Sequence, residues 1–454
     1  EKFSGTFDGL GRTIDSLIIY IPSFINVTLD GQFVGLFAET DNAIIKNIGL
    51  TNIDVTGIDA VGGLVGYNYQ SSISNSYVTG NISGYNAVGG LVGTNDNSSI
   101  INSYSDAEIT DTADGYSFGG LVGANSNNST IKDSYATGNV SGYEQIGGLV
   151  GSQTDSSSIT NSYATGDVIG TGDYIGGLVG KSNAPATITT SYATGDVEGA
   201  NYVGGLAGSS GNSIRNSYAT GDVTGTSNVG GLLGINQYAS IDYAYSTGRV
   251  TGTSNVGGLI GANIDPETIV AYYDKTINTG MADESSYGKT TDELKTLTTF
   301  SGWDIQTDSS IAKGTPFLAW QRNGNTYTKI WVIGTKVAST GGNISNNENS
   351  TGGNTSTTND VSKVITAIVN TSVLQTPKIN VLLPQTIMMS TPTTAFNGER
   401  VNLVSQPIQN QNTTMVTMGE LRANQDTNTP NGNSDIRVPV GDNSVIELIN
   451  GGVN

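Results

Sequence analysis

The sequence contains no cysteine and no histidine. The absence of cysteine excludes disulfides, thiol nucleophiles and thiolate metal sites. The absence of histidine excludes imidazole bases, Ser-His-Asp triads and histidine-bound zinc. The chain therefore cannot form several of the commonest catalytic centres.

Basic residues are also scarce, because 19 Lys and Arg stand against 39 Asp and Glu and give a formal net charge of −20. Nucleic acids and anionic membrane surfaces are bound through Lys and Arg, so neither is an expected partner. Charged residues make up 13% of the chain, so hydroxyl and amide side chains must dominate its surface. No run of about 18 apolar residues occurs, and no transmembrane segment is predicted.

Two motifs recur through the first 270 residues, each about every 28 residues. One is Gly-Gly-Leu-Val-Gly with close variants, and the other is Asn-Ser-Tyr-Ala-Thr-Gly-Asp-Val, clearest at 161–168 and 216–223. The leucines of the first motif, which we expect to stack in a core, are Leu64, Leu91, Leu121, Leu149, Leu178, Leu206, Leu232 and Leu259.

The repeat length predicts the fold class. A unit of about 28 residues with short apolar runs cannot close a core alone, but stacked units can. The units alternate with a period of two and contain frequent glycine, which favours short strands and turns over helices. The sequence therefore predicts an all-β fold over residues 1–270. We expect a parallel β-helix (β-solenoid) of about nine coils, roughly 40 Å long at about 4.8 Å per coil.

The second motif predicts a stripe of aromatic side chains. By strand alternation Tyr163 lies on the face opposite Ser162 and Ala164, and a narrow interior accepts Ser and Ala more readily than Tyr. We therefore expect the tyrosines to stack outside, where they could face a ligand; if they point inward, they are core. The column consists of Tyr77, Tyr104, Tyr135, Tyr163, Tyr192, Tyr218 and Tyr245.

The remaining chain divides into three predicted parts. Residues 271–333 are expected to fold over the last coil as a cap, with a short helix opened by a Thr290–Glu293 capping box. Trp303 and Trp320 in this part either pack or stack on a sugar, and packing is favoured. Residues 334–362 have the composition of a flexible Gly/Ser/Thr/Asn linker. Residues 363–454 form a tail that is partly ordered at most and could anchor the chain or bind a partner.

A column of acidic and amide residues follows the tyrosines. The column consists of Asn81, Asn139, Asp167, Asp196 and Asp222, and it could bind calcium or supply a glycosidase carboxylate pair. Asp and Asn also suit turns, where they bond their own backbone, and we favour that interpretation. We predict no catalytic residue, and calcium is the one cofactor left open.

The Gly-Leu-Val-Gly units resemble the GLUG repeat of large bacterial exoproteins. Segments 3–14, 288–294 and 316–320 are similar to the flanks of such arrays, so that the resemblance spans about residues 1–333. Residues 445–453 resemble the C-terminal region of filamentous-haemagglutinin-type proteins, which are exported by two-partner secretion. The resemblance implies an extracellular β-helical adhesin and, by analogy, an outer-membrane secretion partner.

The expected function is that of a secreted or cell-surface adhesin or filament stalk without catalytic activity. Its partners would be host or environmental glycans, a cell-surface receptor, or further copies of itself in a fibre. The alternatives are a carbohydrate-active β-helix enzyme, either a polysaccharide lyase or a glycoside hydrolase, and a self-assembling structural fibre. The enzyme is the weaker alternative because the coils vary by few residues and contain no long insertion.

Overall fold

The computed structural model describes residues 2–21, 33–183, 185–211, 213–264, 267–281, 283–322 and 327–337, together with four strands near the C-terminus. The backbone forms two compact units, Glu1–Thr366 and Ala367–Asn454. The predicted linker lies outside the described residues from position 338 onward. Of the predicted tail 363–454, only the four strands near the C-terminus are described.

Parallel strands stack coil upon coil in the first unit and form a β-solenoid of about ten turns, so the predicted fold class is confirmed. A nine-stranded sheet, called sheet 1, contains the segment after each repeat leucine. Its strands are Phe37–Asp41, Val65–Tyr69, Val92–Asp96, Val122–Ser126, Val150–Gln153, Val179–Ser182, Ala207–Ser210, Leu233–Gln237 and Ile260–Ile264.

The other sides of the coils form a 29-stranded sheet, called sheet 2. Its strands are Thr6–Asp15, Ile18–Tyr20, Ile44–Thr56, Asp59–Gly62, Ser72–Ser74, Tyr77–Gly89, Ser99–Ile101, Tyr104–Gly119, Thr130–Lys132, Tyr135–Ala136, Val140–Gly142, Glu144–Gly147, Ser158–Thr160, Tyr163–Ala164, Val168–Gly170, Asp173–Gly176, Thr187–Thr189, Tyr192–Ala193, Val197–Glu198, Asn201–Gly204, Ser213–Arg215, Tyr218–Ala219, Val223–Thr224, Ser227–Gly230, Ile241–Ser246, Val250–Thr251, Ser254–Gly257, Ile269–Asp274 and Gly288–Lys289.

Strand register places each residue beside its equivalent in the next coil. Ile159 pairs with Ile188, and Tyr163 pairs with Tyr192. The inward columns are consequently uniform, and the eight repeat leucines from Leu64 to Leu259 are fully buried in one continuous core. Stacking thus buries the apolar side chains that a single repeat unit would leave exposed.

The glycine pairs of the first motif are required by close backbone approach. A Cβ atom added to Gly148 would lie 2.2 Å from the Gly177 carbonyl oxygen and 2.9 Å from the Ala164 Cβ. Any side chain there would push adjacent coils apart.

The Asn-Ser pair of the second motif makes a corner of the coil. Asn161 has a φ of 51°, in the left-handed region that Asn tolerates better than most residues. Ser162 Oγ donates to the Thr160 carbonyl at 2.9 Å and accepts the backbone N–H of Ser134 at 3.3 Å. The Ser162 N–H in turn donates to Ser191 Oγ at 3.2 Å. A serine ladder therefore satisfies polar groups inside each corner.

Residues 269–289 close the C-terminal end of the core. The Tyr273 side chain is fully buried against the last coil. The Asp283 carboxylate accepts the N–H groups of Gly258 and Leu259, each at 3.0 Å, and that of Ile260 at 3.3 Å. These bonds satisfy donors that would otherwise form an open strand edge.

The chain from residue 284 onward contains short helical turns and a small sheet. The helical turns are the one-turn α-helix Glu284–Tyr287 and the 3₁₀ turns Glu293–Lys295, Leu297–Phe300 and Ala319–Gln321. The three strands are Ile305–Ala312, Phe317–Leu318 and Trp331–Lys336, with the last in the centre. Where we expected a helix after the capping box, the chain makes two 3₁₀ turns, although the box hydrogen bonds between Thr290 and Glu293 are formed.

Residues 300–322 and 327–336, called the flank segment, cover more than the last coil. They run back along the side of the solenoid, where Trp320 bonds the backbone of Thr190 and Trp331 bonds Asn216. The physical reason is aromatic burial, since the flank segment contains all three tryptophans of the chain and packs them against stacked tyrosines.

The second unit contains a four-stranded antiparallel sheet. Its strands are Thr393–Thr394, Arg400–Pro407, Ile436–Val440 and Ser444–Asn450, and Ser444–Asn450 lies between Arg400–Pro407 and Ile436–Val440. The segment that resembles a haemagglutinin C-terminus is therefore mostly an inner strand.

Exchange of Leu178 for alanine tests the core. Leu178 is fully buried, so we expect Leu178→Ala to lower the free energy of unfolding by about 2–5 kcal/mol. The matched control is Ile169→Ala, because Ile169 is 49% exposed in the same coil and should change stability by about 0.5 kcal/mol or less. Chemical denaturation followed by circular dichroism measures both, and equal losses would contradict the assignment of inner and outer columns.

Candidate interaction surface

Seven tyrosines form a continuous stack on the outside of the solenoid, called the Tyr ladder (Tyr77, Tyr104, Tyr135, Tyr163, Tyr192, Tyr218 and Tyr245). Neighbouring ring centroids are 4.8–5.0 Å apart and the rings are within 6° of parallel. Ser162 and Ala164, on either side of Tyr163, are fully buried, and Ala164 belongs to the main core. Strand alternation therefore points the tyrosines outward, away from the solenoid interior.

The flank segment covers the C-terminal half of the ladder. Tyr163, Tyr192, Tyr218 and Tyr245 are at most 5% exposed, whereas Tyr77, Tyr104 and Tyr135 are only half-buried. Trp320 lies 6.1 Å from Tyr163 and 5.8 Å from Tyr192, centroid to centroid. Trp331 lies 6.0 Å from Tyr218 and 5.8 Å from Tyr245. A ligand could therefore reach only the first three tyrosines while the flank segment is docked.

Specific hydrogen bonds fix the flank segment on the ladder. The Tyr245 hydroxyl donates to the Pro316 carbonyl at 2.5 Å, and Gln321 Nε2 donates to the Tyr218 hydroxyl at 2.9 Å. Trp320 Nε1 donates to the Thr190 carbonyl at 3.0 Å. These bonds satisfy the polar groups of Tyr218, Tyr245 and Trp320, whereas the buried Trp303 Nε1 has no hydrogen-bond partner among the described residues.

The two tryptophans considered as sugar platforms are packed. Trp303 is 6% exposed and lies among Tyr272, Phe300 and Trp331. Trp320 packs its ring against the ladder and is partly buried. The Trp303 indole therefore offers no open face for a pyranose ring.

Burial also changes the acidity of the ladder. Desolvation raises the pKa of Tyr135 to about 12, with a smaller contribution from the neighbouring Tyr104. Desolvation likewise raises the pKa of Tyr163 and Tyr192 above the usual value, and that of Tyr218 well above it. The ladder therefore stays neutral at physiological pH and acts through ring edges and hydroxyls.

The Asp column bonds in a way that we did not expect. Asp196 N–H donates to Asp167 Oδ1 at 2.9 Å, and Asp222 N–H donates to Asp196 Oδ1 at 2.8 Å. The series starts at Asn139 Oδ1 and ends at the Arg249 N–H. These side chains accept hydrogen bonds from the backbone of the next coil. Our prediction that they bond the backbone of their own turn was therefore wrong. The reason is register, which places each N–H above the preceding carboxylate.

The described residues contain neither a metal-binding cluster nor a membrane-spanning helix. Within the described ranges, no group of three or more Asp, Glu, His or Cys side chains is arranged to hold a metal ion. None of the helices in the described parts of the chain is long and apolar enough to cross a bilayer.

Sequence reasoning missed a buried amide ladder beneath sheet 1. Thr40 Oγ1 donates to Asn68 Oδ1 at 2.7 Å, Asn68 Nδ2 to Asn95 Oδ1 at 2.8 Å, and Asn95 Nδ2 to Asn125 Oδ1 at 2.9 Å. The signal in the sequence was an Asn three residues after the Val of the first motif in three successive coils, after Val65, Val92 and Val122. The ladder is structural, since its members are buried.

The family described as the GLUG motif matches six segments of the chain: 59–83, 84–110, 114–141, 142–169, 199–224 and 225–251. The protein is therefore a β-solenoid with GLUG repeats. Residues 170–198, between two matches, form a coil with the same register.

No curated protein matches the sequence. One solved structure, described as that of "a putative immunoglobulin A1 protease from Bacteroides ovatus", is 16% identical and covers 64% of this chain and 70% of its own. Its TM-score is 0.27, and at that value the likeness supports no inference about this chain.

Alkaline titration tests the burial of the ladder. Because folding raises these tyrosine pKa values above 10, their contribution to stability is complete below pH 10 and is lost as pH rises through the folded pKa. We expect tyrosinate absorbance from the covered tyrosines to appear together with loss of the circular dichroism signal. Tyr163→Phe keeps the stacked ring and removes one ionising hydroxyl, so it should weaken the fall in stability with pH. Ionisation of the covered tyrosines in the folded protein would contradict the assignment.

The carboxylate-to-backbone bond of Asp196 can be tested with two variants. Asp196→Ala removes the acceptor of the Asp222 N–H and should lower the free energy of unfolding by about 1 kcal/mol. Asp196→Asn keeps an acceptor oxygen and relieves repulsion between stacked carboxylates, so it should be at least as stable as the parent. Equal losses in both, measured by denaturation, would rule out the bond. A thermal stabilisation by calcium that is absent in Asp196→Asn would instead assign the column to ion binding.

Proposed function

We propose that this protein is a secreted or cell-surface adhesin or filament stalk without catalytic activity, exported with the help of an outer-membrane partner. The observation that carries the proposal is the Tyr ladder, a row of aromatic side chains repeated at the strand spacing along the stack of coils. A solenoid supplies length and rigidity and repeats its surface groups at a fixed interval. Such a surface suits weak contacts that add up along an extended partner.

The arrangement of the acidic residues supports a binding role over an enzymatic one. A glycosidase needs two carboxyl groups free to face a substrate across a cleft. Asp167, Asp196 and Asp222 instead each use one oxygen to accept a backbone N–H from the next coil. Their side chains are also exposed to solvent.

The shape of the coils supports the same proposal. Where the coils lengthen most, at Asp111–Tyr116, the register shifts by a few residues and then resumes. The Asp111 carboxylate there accepts the N–H groups of Ala113 and Gly115, at 2.9 and 2.8 Å, which closes a tight local loop. A loop of this size adds no wall to a substrate cleft.

The test of this function follows retention and cleavage in one experiment. The full chain is incubated with immobilised polysaccharides and with intact cells, and bound protein and released sugar ends are both measured. Retention without new reducing or unsaturated ends is the expected result. Cleavage that disappears in an Asp167→Asn, Asp196→Asn, Asp222→Asn triple variant would replace the adhesin by an enzyme. Asn keeps the oxygen that accepts the backbone N–H, so this control variant preserves the fold.

Sedimentation of the same sample reports whether copies of the chain assemble into a fibre.

A further inference from the structure

The uncovered part of the Tyr ladder continues the covered part without a break. Tyr135 and Tyr163 stack at 4.8 Å, although Tyr163 lies under the flank segment and Tyr135 lies beyond its edge. Tyr104 and Tyr77 extend the stack by two more coils with the same spacing. The surface on which the flank segment docks is therefore about half occupied by it.

The covered half shows what chemistry the ladder accepts. Residues 316–321, which form the short strand Phe317–Leu318 and then the 3₁₀ turn Ala319–Gln321, lie on it and offer a main-chain carbonyl to Tyr245 and a side-chain amide to Tyr218. The indole of Trp320, in the same turn, packs on the ring edges and bonds through its N–H to the Thr190 carbonyl. The occupant is thus a polypeptide that combines a proline, a tryptophan and a hydrogen-bonding side chain.

Ring stacking disfavours a sugar on the uncovered half. Each inner ring has a tyrosine on both faces, and the outer face of Tyr77 is closed by the backbone of Gly49. A Cβ atom on Gly49 would lie only 2.3 Å from Tyr77 Cζ. A pyranose ring needs an open aromatic face, whereas the ladder presents edges and hydroxyls. Extended peptides with proline and aromatic residues bind to aromatic-lined surfaces of this kind.

Two exposed acidic side chains, Asp106 and Asp133, flank the uncovered tyrosines. The covered coils have Thr194 and Thr190 at the equivalent positions beside Tyr192, and they carry acidic residues in the Asp column instead. Thr137 Oγ1 donates to Asp106 at 2.7 Å, and Lys132 lies 3.9 Å from Asp133 in an exposed pair of little strength. The net charge there remains negative, which favours a basic partner.

From this geometry we propose that Tyr77, Tyr104 and Tyr135, flanked by Asp106 and Asp133, form a docking surface for a partner polypeptide. The partner segment contains proline and tryptophan and carries a basic residue. It binds as the flank segment does on the adjoining tyrosines. This inference rests on the proposed binding function and names the partner class for one surface.

The test uses a labelled synthetic peptide with the sequence of residues 314–322, which contains Pro316, Trp320 and Arg322. Fluorescence anisotropy with the full chain should show saturable binding that weakens as salt is added. A peptide with the tryptophan replaced by alanine should bind roughly tenfold more weakly, because aromatic anchors dominate such contacts.

Variants of the full chain locate the binding. Tyr104→Ser should weaken binding roughly tenfold, whereas Tyr116→Ala, at an exposed tyrosine outside the ladder, should leave it unchanged. Should Tyr104→Ser fail to fold, the Asp106→Asn, Asp133→Asn double variant keeps the ladder and should still weaken binding several-fold. No saturable binding, or binding insensitive to these variants, would overturn the docking surface.

Two outcomes separate this inference from the proposed function. Displacement of the peptide by a glycan, with the same dependence on Tyr104, would make a sugar the occupant and overturn the peptide assignment. Retention on cells by a protein that binds no peptide would leave the adhesin proposal standing without this surface. Peptide binding by a protein that is retained on no cell or polysaccharide would support this surface and remove the adhesin.

Discussion

The structure depends on one constraint, the in-register pairing of parallel strands between successive coils. Every residue lies one strand spacing from its equivalent, so like side chains stack on like, as Ile159 on Ile188 and Tyr163 on Tyr192. Apolar columns become a core and aromatic columns become a ladder. The surface repeat is therefore a consequence of how the backbone satisfies its hydrogen bonds.

The same constraint decides which polar residues the chain can use. Amides and hydroxyls both donate and accept, so Asn68, Asn95 and Asn125 form a buried ladder in which each bonds the next. Stacked carboxylates repel each other, and they persist at Asp167 and Asp196 on an exposed edge where each accepts a backbone N–H. A charged fraction of 13% is consistent with a fold that stacks every side chain on its own kind.

The repeat made most of the solenoid predictable, and the parts without a repeat were not. The leucine columns and the outward position of Tyr163 followed from periodicity and from its neighbours Ser162 and Ala164. The flank segment has no internal period, so its return along the solenoid could not be read from spacing. Its three tryptophans were the available signal, because so much aromatic surface needs a matching partner. The backbone partner of Asp196 required the register between coils, which the sequence does not contain.

Partial coverage of the Tyr ladder resolves a conflict between stability and solubility. Seven stacked rings left open would form a long apolar stripe, and such patches cause association. The flank segment buries four of the seven rings. The three rings left accessible have Asp106 and Asp133 beside them. These charged side chains are hydrated, and they keep the accessible part of the Tyr ladder solvated. The chain thus exposes aromatic surface where its own charge prevents indiscriminate association, which is the condition that a selective binding surface must meet.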